Sequence, residues 1–270
     1  MDLDSASNEQ HDAAAPFLTL PESVLVKILK KVPQHDRLSR AALVCKAWAA
    51  AAAAATTVIT LKRVNAATAA GLSSWLQQHG RGAVEAIRVP TNRNDLVQIQ
   101  LPCDGLAKLC ILHLHNCALQ FSTSSTSSRV GAQARPAIVL PALYSLIFNR
   151  CTQPLATASH LECPRLKFLQ LYPSFDDRPL GSRQQLEAAL SSLLQRLPEL
   201  TLLGLGHDFI SDAPLAQLSC LQKLQQCSLS CPQVSSAVLA NLTSGLKHLA
   251  LISGNGVLQV CADPVHGDSP

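Results

Sequence analysis

The sequence predicts an α/β repeat protein in which a short three-helix module precedes a solenoid, with short parallel strands on the concave side and helices and turns on the convex side. Three observations lead there. A Leu-x-x-Leu-x-Leu spacing recurs between residues 84 and 251. Residues 17–55 hold apolar side chains at helical spacing, broken by proline. Of the 270 residues 47% are hydrophobic but only 4% aromatic, so the core must be built from Leu, Ala and Val, as in helical and repeat architectures.

Residues 1–16 carry few large apolar side chains and read as a disordered lead. Thr19 and Glu22 have capping-box spacing, and Val24, Leu25, Ile28, Leu29 and Val32 then share one helical face that Pro33 ends. Asp36 is placed to cap a second helix through Leu38, Ala41 and Ala42. A third runs through Val44, Cys45 and Trp48 into the run Ala49 to Ala55. Three helices of this size enclose too little interior to stand without a partner or a neighbouring domain.

Leu20-Pro21-Glu22, the spaced Leu25, Ile28 and Leu29, then Leu38, and the closing Val44-Cys45-Lys46-Ala47-Trp48 together resemble an F-box, over about residues 19–52. The resemblance implies a Skp-type adaptor as partner, linking the chain to a cullin ubiquitin ligase. It also implies that Leu20, Pro21, Leu25, Ile28, Leu29, Val44 and Trp48 lie in or behind the adaptor interface. Lys27, Lys30, Lys31, Arg37, Arg40 and Lys46 make the module basic, which suits an acidic adaptor.

The repeats can be counted. The copies are Val84, Ile87, Val89 with Asn92; Leu109, Leu112, Leu114 with Cys117; Leu143, Leu146, Phe148 with Cys151; and Leu166, Leu169, Leu171 with Ser174. Leu200, Leu203, Leu205 with Asp208 follow, then Leu224, Cys227, Leu229 with Pro232, and Leu246, Leu249, Leu251 with Gly254. Positions 89, 114, 148, 171, 205, 229 and 251 correspond, 22 to 34 residues apart, and most intervals have leucine-rich-repeat length. Each unit buries its apolar face only against its neighbours. The long intervals have local causes: a Ser/Thr-rich insertion at 121–136, and an amphipathic helix over 182–197 carrying Leu186, Leu190, Leu193, Leu194 and Leu197. Thr56 to Leu61 is β-branched and reads as a first strand, backed by a helix with Leu72, Trp75 and Leu76. The solenoid is expected over 56–260, with a polar tail at 261–270.

Side chains between the Leu positions point out of the concave sheet and line up in columns. One column is Arg88, His113, Ile147, Gln170, Gly204, Ser228, Ala250. A second is Pro90, His115, Asn149, Tyr172, Gly206, Ser230, Ile252. A third is Ile111, Ser145, Phe168, Leu202, Gln226, His248. Arg88, His113, His115, Asn149, Phe168 and Tyr172 mix charge, hydrogen bonding and aromatic area as protein interfaces do, and form the candidate target-binding set.

The net charge of +4 comes from 22 basic residues that form no stripe, so nucleic acid is not expected as a partner. No apolar run approaches the ~20 residues that span a bilayer, and Met1 to Pro16 lacks the basic-then-apolar order of a signal peptide. Neither a membrane nor secretion is expected; the predicted location is intracellular, cytoplasmic or nuclear. The ten cysteines then read as reduced core residues. Cys110/Cys117 and Cys227/Cys231 lack paired zinc-ligand spacing, and no metal or cofactor is expected.

The sequence shows no phosphate-cradling glycine loop, nucleophile elbow or supported carboxylate pair, so no enzyme is expected. With the F-box resemblance, the expectation is the substrate receptor of an SCF-type ubiquitin ligase, its target protein unspecified. The alternative is a non-catalytic leucine-rich-repeat scaffold in a cytoskeletal or other assembly, without ubiquitin function.

Overall fold

The computed structural model describes residues 20–62, 64–79, 83–90, 96–122, 137–174, 182–208, 210–235, 238, 242, 245–253 and 256–261. The chain divides into two compact units, Met1–Thr56 and Thr57–Pro270. The lead at 1–16 lies outside the described residues.

The first unit is helical. Helix α1 spans Glu22–Leu29, with Pro21 as N-cap and no side-chain cap bond. The expected Thr19/Glu22 capping box therefore does not start this helix, and Thr19 is outside the described residues. Pro21, lacking an N–H and held extended at φ −55° and ψ 142°, sets the boundary instead. Its carbonyl accepts from the amides of Val24 and Leu25. Pro33 does not end α1, which stops at Leu29; it is the N-cap of α2, Gln34–Ser39. Asp36 thus sits inside the first turn of α2, favourable to its dipole, and does not cap it. A 3-10 turn, Ala41–Leu43, leads to α3, Lys46–Ala54, which starts after an extended Cys45.

Leu25, Leu29, Ala41, Ala51, Ala52 and Ala55 form the core of this unit, with Leu20, Val26, Val32, Ala42 and Trp48 packed on it. Alanines on α3 allow α1 close approach. Arg37, expected on the basic surface, is buried instead. Its Nη1 donates to the Ala55 carbonyl at 2.6 Å and the Thr56 hydroxyl at 3.3 Å, and its Nη2 to the Val32 carbonyl at 2.9 Å. One guanidinium fork thereby ties the end of α3 to the α1–α2 turn.

The second unit opens with β1 (Val58–Thr60), α4 (Ala66–His79), β2 (Ala86–Val89), β3 (Val97–Pro102), β4 (Ile111–His115), β5 (Cys117–Ser122), β6 (Ile138–Val139) and β7 (Ser145–Cys151). It continues through α5 (Pro154–Ser159), β8 (Leu161–Glu162), β9 (Phe168–Pro173), α6 (Arg183–Gln195), β10 (Leu202–Gly206) and α7 (Asp212–Leu215). β11 (Gln226–Ser230), β12 (His248–Ser253) and β13 (Gly256–Cys261) complete it. The main sheet runs β1-β2-β4-β7-β9-β10-β11-β12-β13. All its pairings are parallel but the last, where β13 closes the sheet antiparallel to β12.

Neighbours in the sheet follow chain order because each strand covers the apolar row of the one before it. Leu109, Leu112 and Leu114 are fully buried, as are Leu200 and Leu203, and the Val84, Leu143, Leu166 and Leu224 sets are nearly so. The β1 and α4 expectations match the observed elements, with Leu72 and Leu76 buried and Trp75 against the core. Helix α6 forms as expected, its Ser182 and Gln185 making a reciprocal capping box.

Three boundaries differ from expectation. Phe121 and Ser122 belong to β5, paired with β3 in a separate two-stranded sheet, and not to the insertion; 123–136 is outside the described residues. Cys261 belongs to β13 and is not the start of a tail; 262–270 lies outside the described residues. The turn residues of the later repeats also shift by one place.

That shift has a backbone cause. Asn116 and Arg150 adopt left-handed φ of 53° and 54°, each adding one residue before a cysteine that turns inward. Beyond this bulge, Cys151 pairs with Pro173 and not with Ser174. In β11 there is no such extra residue, so Cys231 is buried and Pro232 exposed; Asp208 is exposed likewise. Buried Cys151 donates Sγ–H to the Leu114 carbonyl at 3.3 Å and Cys231 to that of Leu205 at 3.8 Å, each bridging to the preceding strand.

Candidate functional site

Each unit presents one surface whose side chains exceed what packing requires. On the helical unit, α1 divides its apolar residues between two faces. Leu25 and Leu29 are 2% and 0% exposed, whereas Val24 and Ile28, one turn apart, are 37% and 44% exposed. Leu43, the last residue of the 3-10 turn, and Val44, just after it, are exposed at 82% and 57%. Pro21 is exposed too, and Leu20 and Trp48 are half-buried.

The seven residues expected at an adaptor interface therefore separate by role. Pro21, Ile28 and Val44 face solvent; Leu25 and Leu29 form the floor behind them; Leu20 and Trp48 bridge the two. The Trp48 indole N–H is turned inward without an acceptor. Leu43 was not among the expected residues. Its signal was its place beside Val44, just before a helix start, where the chain has no reason to keep two large apolar residues for its own core.

Around this surface Lys27, Lys30, Lys31, Arg40 and Lys46 are exposed. Asp36 pairs with Arg40 at 3.5 Å across one turn, a contact worth a few tenths of a kcal/mol. The arrangement is an apolar patch rimmed by cations, of the kind that marks a protein-binding site.

On the second unit the register aligns the expected columns. Thr60, Arg88, His113, Ile147, Gln170, Gly204, Ser228 and Ala250 stand side by side across the sheet. Ile111, Ser145, Phe168, Leu202, Gln226 and His248 form the next row, and His115, Asn149 and Tyr172 lie on the other side.

The candidate residues occupy one stretch of this open face. Arg88 is exposed, and His113, His115, Asn149 and Tyr172 are half-buried. His113 Nε2 is 2.8 Å from the Ser145 hydroxyl, which fixes the imidazole against β7. Burial pushes the His113 pKa down, and the Arg88 and His115 charges push the same way. Burial also lowers that of His115, whose Nδ1 is enclosed without a partner. Both rings are therefore favoured in their neutral form.

The aromatic end of this stretch rests on two different supports. Phe168 meets Tyr144 edge-on, with centroids 6.2 Å apart at 72°. Tyr172 lies over Gly204 and Gly206, where any side chain would lift it. Beyond them Gln170, Leu202, Gln226, Ser228, His248 and Ala250 border a shallow depression, which the sequence did not single out.

Four buried thiols are held in their protonated form. Burial raises Cys117, Cys163 and Cys227 to about 12 and Cys231 to about 11, so they remain protonated. Cys45, Cys103, Cys110, Cys117, Cys151, Cys163, Cys220, Cys227 and Cys231 are free, and among the described residues no helix is long and apolar enough to cross a membrane.

A family model described as F-box-like matches residues 17–56, the helical unit just described. Comparison with curated proteins finds no match to the chain. The chain thus carries an F-box-like domain followed by an α/β region with a parallel sheet. F-box domains bind Skp-type adaptors within SCF-type complexes, which makes an adaptor-binding subunit the class of protein this domain defines.

Proposed function

We propose that the chain is the substrate-recognition subunit of an SCF-type cullin ubiquitin ligase, its F-box-like domain docking the adaptor and its parallel sheet holding the target. The observation that carries this is the F-box-like match over a unit that leaves Val24, Ile28, Leu43 and Val44 exposed. The second unit is read as a leucine-rich-repeat solenoid. Strands in chain order, recurring buried Leu sets and an open face of aligned columns support that reading.

In this role the chain performs no chemistry and needs no cofactor. It raises the effective concentration of a target lysine near a charged conjugating enzyme. Arg88, His113, His115, Asn149, Phe168 and Tyr172 form the target-facing surface.

Co-purification with a Skp-type adaptor tests the docking role. The wild-type chain should capture the adaptor, and Ile28→Asp/Val44→Asp should lose it while staying folded. Ubiquitination of bound target, assayed with the reconstituted ligase, tests the rest. Adaptor capture with no ubiquitinated target would favour a leucine-rich-repeat scaffold instead.

A further inference from the structure

The open sheet face is chemically one-sided. Along the three columns the described side chains include Arg88, His113, His115 and His248, and no Asp or Glu stands among them. Two carboxylates elsewhere in this unit are paired, Glu199 with Lys223 and Glu187 with Arg183. An uncompensated cation on a surface otherwise built of neutral polar and aromatic groups selects its partner by charge sign.

Apolar anchoring is at the other end. Phe168 and Tyr144, 37% and 38% exposed, form a ring pair open to a further apolar group. Strands lie about 4.8 Å apart and residues rise about 3.3 Å along them. Arg88 on β2 and Phe168 on β9 are separated by β4 and β7 and by two places along the strand. The separation is therefore roughly 16 Å, which about five residues of extended chain would span.

We propose that this face binds an extended acidic segment of the target, crossing the strands with a carboxylate at Arg88 and an apolar side chain five residues on at Phe168. His113, held by Ser145 in the row between the anchors, offers a hydrogen bond to the peptide. A nucleic acid fits less well, since the columns hold one Arg and no Lys for a backbone that needs several cations. This inference rests on the target-binding role proposed for the sheet.

The test uses the full chain with its adaptor and twelve-residue fluorescent peptides, read by anisotropy. The peptides carry Glu or Lys at one position and Leu either five or two residues later. Glu with the five-residue spacing should bind at least tenfold tighter than Lys or the shorter spacing. Arg88→Glu should reverse the Glu/Lys preference, and Phe168→Ala should abolish the dependence on Leu. Equal binding of Glu and Lys peptides, indifference to spacing, or stronger binding of a single-stranded RNA of equal length would overturn the proposal. Both substituted residues are exposed, and the circular dichroism and urea unfolding of each variant report that the sheet unit is folded. A chain that captures adaptor yet shows no preference sinks this inference alone. One that shows the preference without capturing adaptor sinks the ligase reading alone.

Discussion

A Cβ on Gly206 would stand 2.5 Å from Cδ1 of Tyr172, so the tyrosine lies flat on the sheet only because its neighbour has no side chain. Gly204 extends the same support, its would-be Cβ 2.9 Å from the tyrosine hydroxyl. Gly206→Ala should cost about 1–2 kcal/mol, as overpacking does. In a Tyr172→Ala background the same change should cost nearly nothing. Urea unfolding of the four chains gives this coupling directly; additive costs would show that the ring does not rest there.

Arg37 satisfies two backbone carbonyls and one hydroxyl from a buried position. Arg37→Ala should destabilise the helical unit by about 2 kcal/mol, since the acceptors lose a charged donor. Arg37→Lys should recover only part, because an ammonium lacks the planar fork. Thermal unfolding followed by helical circular dichroism of the full chain is the measurement.

Adjacent positions on α1 should behave oppositely. Ile28→Asp, at 44% exposure, should change stability by no more than about 0.5 kcal/mol while abolishing adaptor capture. Leu29→Asp puts a charge where exposure is 0% and should unfold the unit. Circular dichroism and pull-down on the same preparations separate the two effects.

The buried thiols should be silent to reagent until the chain unfolds. At pH 8 exposed Cys220 should label with a thiol reagent first, and Cys117, Cys163 and Cys227 last. Their pKa values are raised from 9.0 to about 12, so the unfolded chain loses these protons first. Their contribution to stability is full below pH 9 and declines as pH rises toward 12. Labelling kinetics read by mass spectrometry, and alkaline unfolding curves, check both.

For His113 the sign is opposite. Its folded pKa lies below the usual 6.5, so the unfolded chain binds the proton more readily. The stability this contributes is present above pH 6.5 and falls away as pH drops through the folded value. Arg88→Ala removes one cause of the depression and should move the His113 imidazole resonance titration upward. An unchanged titration would show that the Arg88 charge plays no part in it.

Much of the second unit was legible because its signal is periodic. Leu112 and Leu114 alternate with half-buried partners at the strand period, and equal offsets from one Leu set to the next give the cross-strand columns. Val97, Ile99 and Leu101 carry the same alternation and form β3, yet they stand outside the repeat spacing and were passed over. Ser174, Asp208 and Pro232 were misplaced because a bulge is a backbone event. Left-handed Asn116 and Arg150 cost one residue that no spacing rule counts.

The sequence by itself determined which residues would be core, for hydrophobic burial depends on side-chain type and period, and both are written in the chain. It also carried the F-box-like pattern in Leu20-Pro21 and Val44 to Trp48. Only the tertiary structure decided which members of one apolar helix face remain open. Leu25 and Leu29 share a core with the alanines of α3, and Val24 and Ile28, one residue around the same helix, keep 37% and 44% of their surface exposed. It likewise took the folded chain to bury Arg37 and lay Tyr172 on Gly206, because contacts between distant residues depend on packing that no local pattern encodes.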